Sequence, residues 1–186
     1  MSTIFLFRTP GTSSRHYETS MATIVDHQIR QLARDMGLVE PFKSEMVNPA
    51  SIDVTLGPLI RVESRDGEWR DVDISKGPYA MAPGEFILAA TDEFVRVPNN
   101  MECVFLLKSS RGREGYEHAL ATFCDPGFQG EVTLELTNLN RYRSLPLQQG
   151  LRIGQLKFSK LDAVPMRSYA VTGRYQNDRG PVASKG

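Results

Sequence analysis

Beyond Pro49 the chain runs as short β-rich stretches broken by turn residues, and this punctuation constrains the fold more than any other feature. The stretches are IDVTL (52–56), LIRVES (59–64), EFILAA (85–90), EFVRV (93–97), CVFLL (103–107), EVTLEL (131–136) and LRIGQLKF (151–158). Asn48-Pro49, Pro83-Gly84, Pro98 to Asn100, Asp125 to Gly127 and Gln148 to Gly150 supply turn chemistry between them. Regular spacing of this kind predicts an all-β sandwich or barrel. Ahead of it, Ile24, Ile29, Leu32, Ala33 and Met36 approximate a helical stripe over Thr23 to Met36, with Gly37 as its stop. That is the one convincing helix in the sequence.

A chain of 186 residues suits one well-packed domain. The first twenty residues, rich in Ser, Thr and Arg, read as a flexible extension or an edge strand, with Met21 as an alternative start. The last sixteen, VTGRYQNDRGPVASKG, read as a disordered tail or as one that orders over a bound ligand. Lys plus Arg and Asp plus Glu both number 22, so the chain lacks the cationic excess that binding to a nucleic-acid polymer exploits. No apolar run reaches the roughly 20 residues that span a bilayer, and the N-terminus lacks a leader pattern, which predicts a cytoplasmic protein without a membrane partner. The two cysteines, Cys103 and Cys124, lie in apolar stretches without metal-ligand spacing and read as buried structural thiols.

Within EVTLEL, Val132, Leu134 and Leu136 point to one face while Glu131, Thr133, Glu135 and Thr137 point to the other. Alternation alone makes Glu135 a solvated outer residue. Context gives it a second reading. KSSRGREG (108–115), ATFCDPGFQGEVTLELTN (121–138), PLQQGLRIGQL (146–156) and GRYQNDRGPVAS (173–184) follow one another, preceded by NPASIDVTLG (48–57). In that order and spacing these segments resemble the dCTP deaminase family, which shares its fold with trimeric dUTPases; NPASIDVTLG resembles that family's early "PxSxDLRLG" segment. The resemblance runs from about Met21 to the C-terminus.

The resemblance implies a mainly β subunit, a distorted β-barrel or jelly roll of the dUTPase-like type with a short N-terminal helix. Residues 1–20 are then an extension and residues 21–186 the dCTP deaminase-like domain, whose segment from about 170 covers the ligand. It implies a homotrimer with sites between subunits. The expected reaction is hydrolysis of dCTP to dUTP and ammonia; alternatives are a bifunctional enzyme that continues to dUMP, a deaminase acting on dCMP, and a noncatalytic nucleotide sensor.

Deamination needs water activated at C4, a proton delivered to N3 and departure of ammonia, and one carboxylate can shuttle those protons. Zinc deaminases make hydroxide at a metal held by H-x-E and C-x-x-C, and this sequence contains no C-x-x-C. His16-Tyr17-Glu18 fits H-x-E as a string only. The resemblance instead implies a zinc-free site in which Glu135 is general base and then acid. By the same resemblance Arg113 sits beside that carboxylate, and Ser109 and the backbone of Ala121 position the water and the cytosine amino group.

Ser110 is expected at phosphate, with Lys108 flanking it and Arg111 standing where the family has an apolar residue. Asp125 matches the position that meets the sugar 3′-hydroxyl, though Asp-Pro-Gly is also plain turn chemistry. Tyr169, Arg174 and Tyr175 align with residues that hold the triphosphate. Asp178 replaces a family glutamine there, and its charge would repel phosphate unless it points away, Arg179 compensates, a metal bridges, or fewer phosphates are accepted. One residue fewer than in the family separates Arg113 from Asp125, altering the hairpin around His118 and Ala119. The expected cofactor is Mg²⁺ carried by the substrate phosphates, with no protein-held metal.

Overall fold

The computed structural model describes residues 22–186. The extension reading of residues 1–20, the Met21 start and the His16-Tyr17-Glu18 string lie outside the described residues. In chain order the elements are α1 (Asp26–Met36), β1 (Val39–Glu40), β2 (Val47–Asn48), β3 (Ser51–Glu63), β4 (Trp69–Asp73), β5 (Tyr79–Met81), β6 (Phe86–Arg96), β7 (Met101–Leu107) and α2 (Ser109–Glu114). They continue with β8 (Tyr116–His118), β9 (Phe123–Cys124), β10 (Gln129–Asn138), β11 (Leu145–Leu147), β12 (Arg152–Lys160) and α3 (Tyr169–Thr172). The principal sheet runs β8-β10-β6-β3-β12-β7-β9 and curls on itself as a half-barrel; β11 and β5 form a separate pair. The mainly β architecture with a short helix ahead of it, expected from the sequence, is the one observed.

Helix α1 starts at Asp26 rather than Thr23, because Thr23 is spent in an isolated bridge to Ser159. Gln28 Oε1 accepts the Val25 N–H at 3.1 Å, and Gly37, at φ 67°, closes the helix by donating to the Ala33 carbonyl. Ile29 and Ala33 bury the stripe against the sheet.

Two pairs of sequence runs fuse into single long strands. IDVTL and LIRVES become β3, which bulges at Gly57-Pro58-Leu59, where its register with β6 slips. The first half of β3 pairs with β12 and the second with β4 and β6. Its first seven residues are therefore buried on both faces and show no alternation. Likewise EFILAA and EFVRV join as β6. At the facing irregularity, Thr91 Oγ1 accepts the Val132 N–H at 2.9 Å and donates to the Glu93 carbonyl at 2.8 Å, replacing lost ladder bonds. These slips bend the strands that carry the site.

Core packing is tight where β12 crosses β7. A Cβ on Gly154 would run into the Phe105 ring and lie 2.8 Å from the Leu106 carbonyl oxygen. Gly154→Ala is therefore expected to lose about 1–3 kcal/mol by overpacking, seen as a lower urea midpoint. Among the described residues no helix is long and apolar enough to cross a membrane.

Candidate active site

Strand β10 is buried at every second residue, so Glu131, Thr133, Glu135 and Thr137 share the face turned away from the core, as the alternation predicts. That face is not open solvent. A cavity of about 460 Å³ lies over it, floored by Thr133, Glu135 and Leu88, which stands opposite Glu135 on β6. Ala121 to Cys124 form one wall, Phe128 and Tyr169 an aromatic side, and Tyr175, Asp178 and Val182 to Ser184 the cover.

Glu135 Oε2 is buried and meets no donor; the other such side-chain atom among the described residues is Thr122 Oγ1, in the same cavity. Leaving a carboxylate oxygen dry and unpaired costs on the order of 1–3 kcal/mol or more. A folding role would have supplied it with a partner. The arrangement fits an acceptor kept for a ligand proton.

His118 lies on β8, beside β10 and one residue out of register with Glu135. It is buried, packs edge-on to Phe105 at 5.0 Å, and its Nδ1 accepts the Leu120 N–H at 3.2 Å. That bond places the proton of the neutral ring on Nε2. Burial pushes the imidazole below its ordinary value against the pull of Glu117 and Glu135. Leu120 reaches φ 56°, a left-handed conformation for a residue with a Cβ, in the connection between β8, which pairs with β10, and β9, which pairs with β7, so the hairpin expected around His118 and Ala119 is not formed.

Because His118 binds its proton less readily folded than unfolded, the unfolded chain protonates first as pH falls. Its contribution to stability is present above the unfolded value of 6.5 and is lost as pH falls through the lower folded value. The melting temperature of the natural protein should therefore drop more steeply between about pH 8 and about pH 5 than that of His118→Asn, measured by thermal unfolding of both across that range.

The turn Asp125-Pro126-Gly127-Phe128 is closed by the Phe128 N–H to the Asp125 carbonyl at 3.0 Å, with Gly127 at φ 88° in the position that needs it. The exposed Asp125 carboxylate faces a neighbouring depression of about 280 Å³ with Glu102, Arg167 and Tyr169. Tyr169 borders both spaces, packs on Phe128 at 5.7 Å, and accepts the Tyr175 N–H at its hydroxyl at 3.3 Å.

Within the KSSRGREG segment Ser109–Glu114 folds as α2, so the chain holds more helix than the one the sequence made convincing. Helix α2 starts after Lys108 and stops at Gly115, at φ 105°. Lys108 Nζ is 2.6 Å from Asp53 Oδ2, a buried carboxylate that also accepts from Asn48 Nδ2 at 2.8 Å. Arg111 pairs with Glu114 at 2.5 Å and donates to the Arg152 carbonyl. Ser109, Ser110 and Arg113 are exposed, and among the described residues their side chains make no hydrogen bond. None of the three lines the Glu135 cavity, so a single chain does not bring Ser109 and Arg113 to Glu135.

The C-terminal segment is ordered along β10 rather than a disordered tail. Asn177 donates to the Gln129 carbonyl and Glu131 to that of Asp178, Gly180 N–H meets Glu131 Oε2, and Val182 N–H meets Thr133 Oγ1. Asp178 is neutralised by Lys185, whose Nζ lies 2.6 Å from Oδ2, 2.9 Å from the Arg174 carbonyl and 5.1 Å from the centre of the Tyr175 ring. Arg179 is occupied elsewhere, 3.0 Å from Glu131 and over the Phe94 ring. Arg174 itself is exposed. The pairing with Lys185 was invisible in the sequence, as were Thr122 and Leu88; local spacing carries no signal for them.

A family model described as dCTP deaminase-like matches residues 23–161. The chain is 39% identical over 166 residues to a Streptomyces coelicolor protein named "dCTP deaminase, dUMP-forming", covering 79% of this chain and 85% of that one. It is 38% identical over 164 residues to a Thermobifida fusca protein of the same name, covering 79% and 83%. Among solved structures, the 2′-deoxycytidine 5′-triphosphate deaminase of Agrobacterium tumefaciens superposes with a TM-score of 0.63 at 22% identity. That match covers 74% of this chain, which spans about half, 48%, of the solved one, and it shows a shared fold.

Proposed function

The chain belongs to the dCTP deaminase-like family, and from that premise we propose that it deaminates dCTP hydrolytically and carries the product on to dUMP. The observation that carries the proposal is the Glu135 carboxylate, held over a 460 Å³ cavity with one oxygen buried and unpaired. Glu135 takes a proton from water as the oxygen adds to C4 and gives it to N3; it then carries the proton of the new C4 hydroxyl to the amino group, the C4–N bond breaks, and ammonia leaves. Thr122 Oγ1 and the backbone at Ala121 stand in the wall beside it and are suited to orient water and the exocyclic amine.

The sequence led first to dUTP as the end product, with the bifunctional route as the alternative. The relatives named "dCTP deaminase, dUMP-forming" favour that alternative. A second water then breaks the bond between the α- and β-phosphates, giving dUMP and pyrophosphate. Asp125 receives the sugar 3′-hydroxyl, while Tyr169, Arg174, Tyr175 and Ser110 serve the phosphates, with the charge of Asp178 balanced by its ion pair with Lys185. Lys108 acts by fixing the start of α2 through Asp53 rather than by lending a free charge.

Ser109 and Arg113 reach Glu135 from a neighbouring subunit of a homotrimer. Their exposure on α2, outside the Glu135 cavity, supports this reading. Mg²⁺ fits as an ion brought by the phosphates, because a hard divalent cation that needs few protein ligands suits a triphosphate. When bound it supplies charge neutralisation along the phosphate chain. The segment from about residue 170 is the cover of the nucleotide, and a cytoplasmic setting suits such a substrate.

Purified protein given dCTP and Mg²⁺ is expected to release ammonia, pyrophosphate and dUMP in equal amounts, resolved by chromatography. Accumulation of dUTP without pyrophosphate would restrict the activity to deamination, and turnover of dCMP in preference to dCTP would overturn the triphosphate reading.

A further inference from the structure

Cys103 and Cys124 are the only cysteines in the chain, and the fold sets them face to face. Their strands, β7 and β9, pair antiparallel with Cys103 directly opposite Cys124. Both thiols are free and buried, 0% and 3% exposed. Cys124 also belongs to the wall of the Glu135 cavity, one residue before Asp125, while Cys103 does not, so Cys124 is the member of the pair that borders a small oxidant entering the cavity.

We propose that this pair is a thiol oxidation site whose disulfide remodels the wall of the Glu135 cavity. Directly opposed residues of an antiparallel pair hold their Cβ atoms roughly 4.5–5.5 Å apart, whereas a disulfide draws them to about 3.8 Å. The bond therefore pulls β9 toward β7 by about an ångström and carries Thr122 and Asp125 with it. It also ties together the two ends of the segment that holds Ser109, Arg113 and Ala121.

With hydrogen peroxide as oxidant, the Cys124 sulfur attacks one peroxide oxygen, the O–O bond breaks, and a sulfenic acid and one water form. Cys103 then attacks that sulfur; the S–S bond forms, the S–O bond breaks, and the hydroxyl leaves as a second water with the Cys103 proton. Two thiols lose two electrons and the peroxide gains them. Cys103 lies opposite Cys124 but does not line the cavity, and that position assigns it the resolving role.

The test uses the full chain, reduced, then treated with hydrogen peroxide, denatured and alkylated with N-ethylmaleimide. Untreated protein should take up two maleimides; treated protein should take up none and still migrate as a single chain on a non-reducing denaturing gel. In parallel, dCTP turnover should fall about tenfold or more, the scale of an ångström misplacement in a site, and return with dithiothreitol. Cys103→Ser treated in the same way should retain its turnover without forming the bond. Two maleimides after treatment, chains cross-linked to one another, or an equal thiol-reversible loss in Cys103→Ser would overturn the proposal. If Cys103→Ser does not fold, the maleimide count on the natural chain decides. That count is independent of turnover, so it stands or falls apart from the deaminase reading.

Discussion

Glu135→Gln is expected to lower ammonia release from dCTP by about 10³-fold, within the range general acid–base catalysis supplies, while nucleotide binding persists. Glutamine keeps the shape and the polar end of the side chain but cannot accept a proton from water at neutral pH. The strand should tolerate it, because Glu135 Oε2 has no donor to lose and the Glu135 carbonyl still accepts the Ala119 N–H at 3.2 Å. Isothermal titration with dCTP separates the two effects: a similar Kd with turnover lost assigns Glu135 to the chemistry. If the variant turned over dCTP at the natural rate, the base would have to be another group in the cavity. The other carboxylates lining it, Glu131 and Asp178, would be the next to test.

What the sequence revealed and what it hid divide along the range of the interactions. The alternation of EVTLEL, the stop at Gly37 and the Asp-Pro-Gly turn are decided by neighbours within a few residues, and each folds as read. The break inferred between IDVTL and LIRVES fails because Gly57-Pro58, a turn signal locally, is held extended by ladders to β12 on one side and to β6 and β4 on the other. Trp69–Asp73 escapes notice since its residues are largely exposed and charged, and only pairing with the second half of β3 makes it a strand. Tertiary pairing outweighed local propensity in both.

The site divides in the same way. Glu135 and Ala121 could be named from sequence motifs, and both line one cavity. The charge problem posed by Asp178 could not be solved there, because its partner Lys185 is brought round by a turn of the C-terminal segment anchored on Glu131 and Thr133. A side chain seven residues along an irregular segment has no periodic relation to its partner. By contrast Ser109 and Arg113, equally legible as motif residues, lie where one chain alone does not join them to Glu135.

That separation leads to the largest contrast expected of any variants. Arg113→Ala and Glu135→Gln should each be nearly inactive alone, yet co-expressed they should recover roughly a quarter of the natural turnover per chain if sites are shared between neighbours of a closed ring. In such a ring each site would take Glu135 from one subunit and Arg113 from the next. In a random mixture a site is intact only when an Arg113→Ala chain supplies the carboxylate and a Glu135→Gln chain supplies the guanidinium. Each of those placements occurs half the time, which makes the fraction the product of two halves. A site contained in one chain would recover nothing, since every chain in the mixture lacks one of its two groups. The exposed Leu120 and Phe123, 79% and 52% accessible beside the cavity wall, give such a neighbour an apolar surface to rest on. Replacing Phe123 with aspartate should therefore abolish the recovery along with the oligomer, read by light scattering on the same samples.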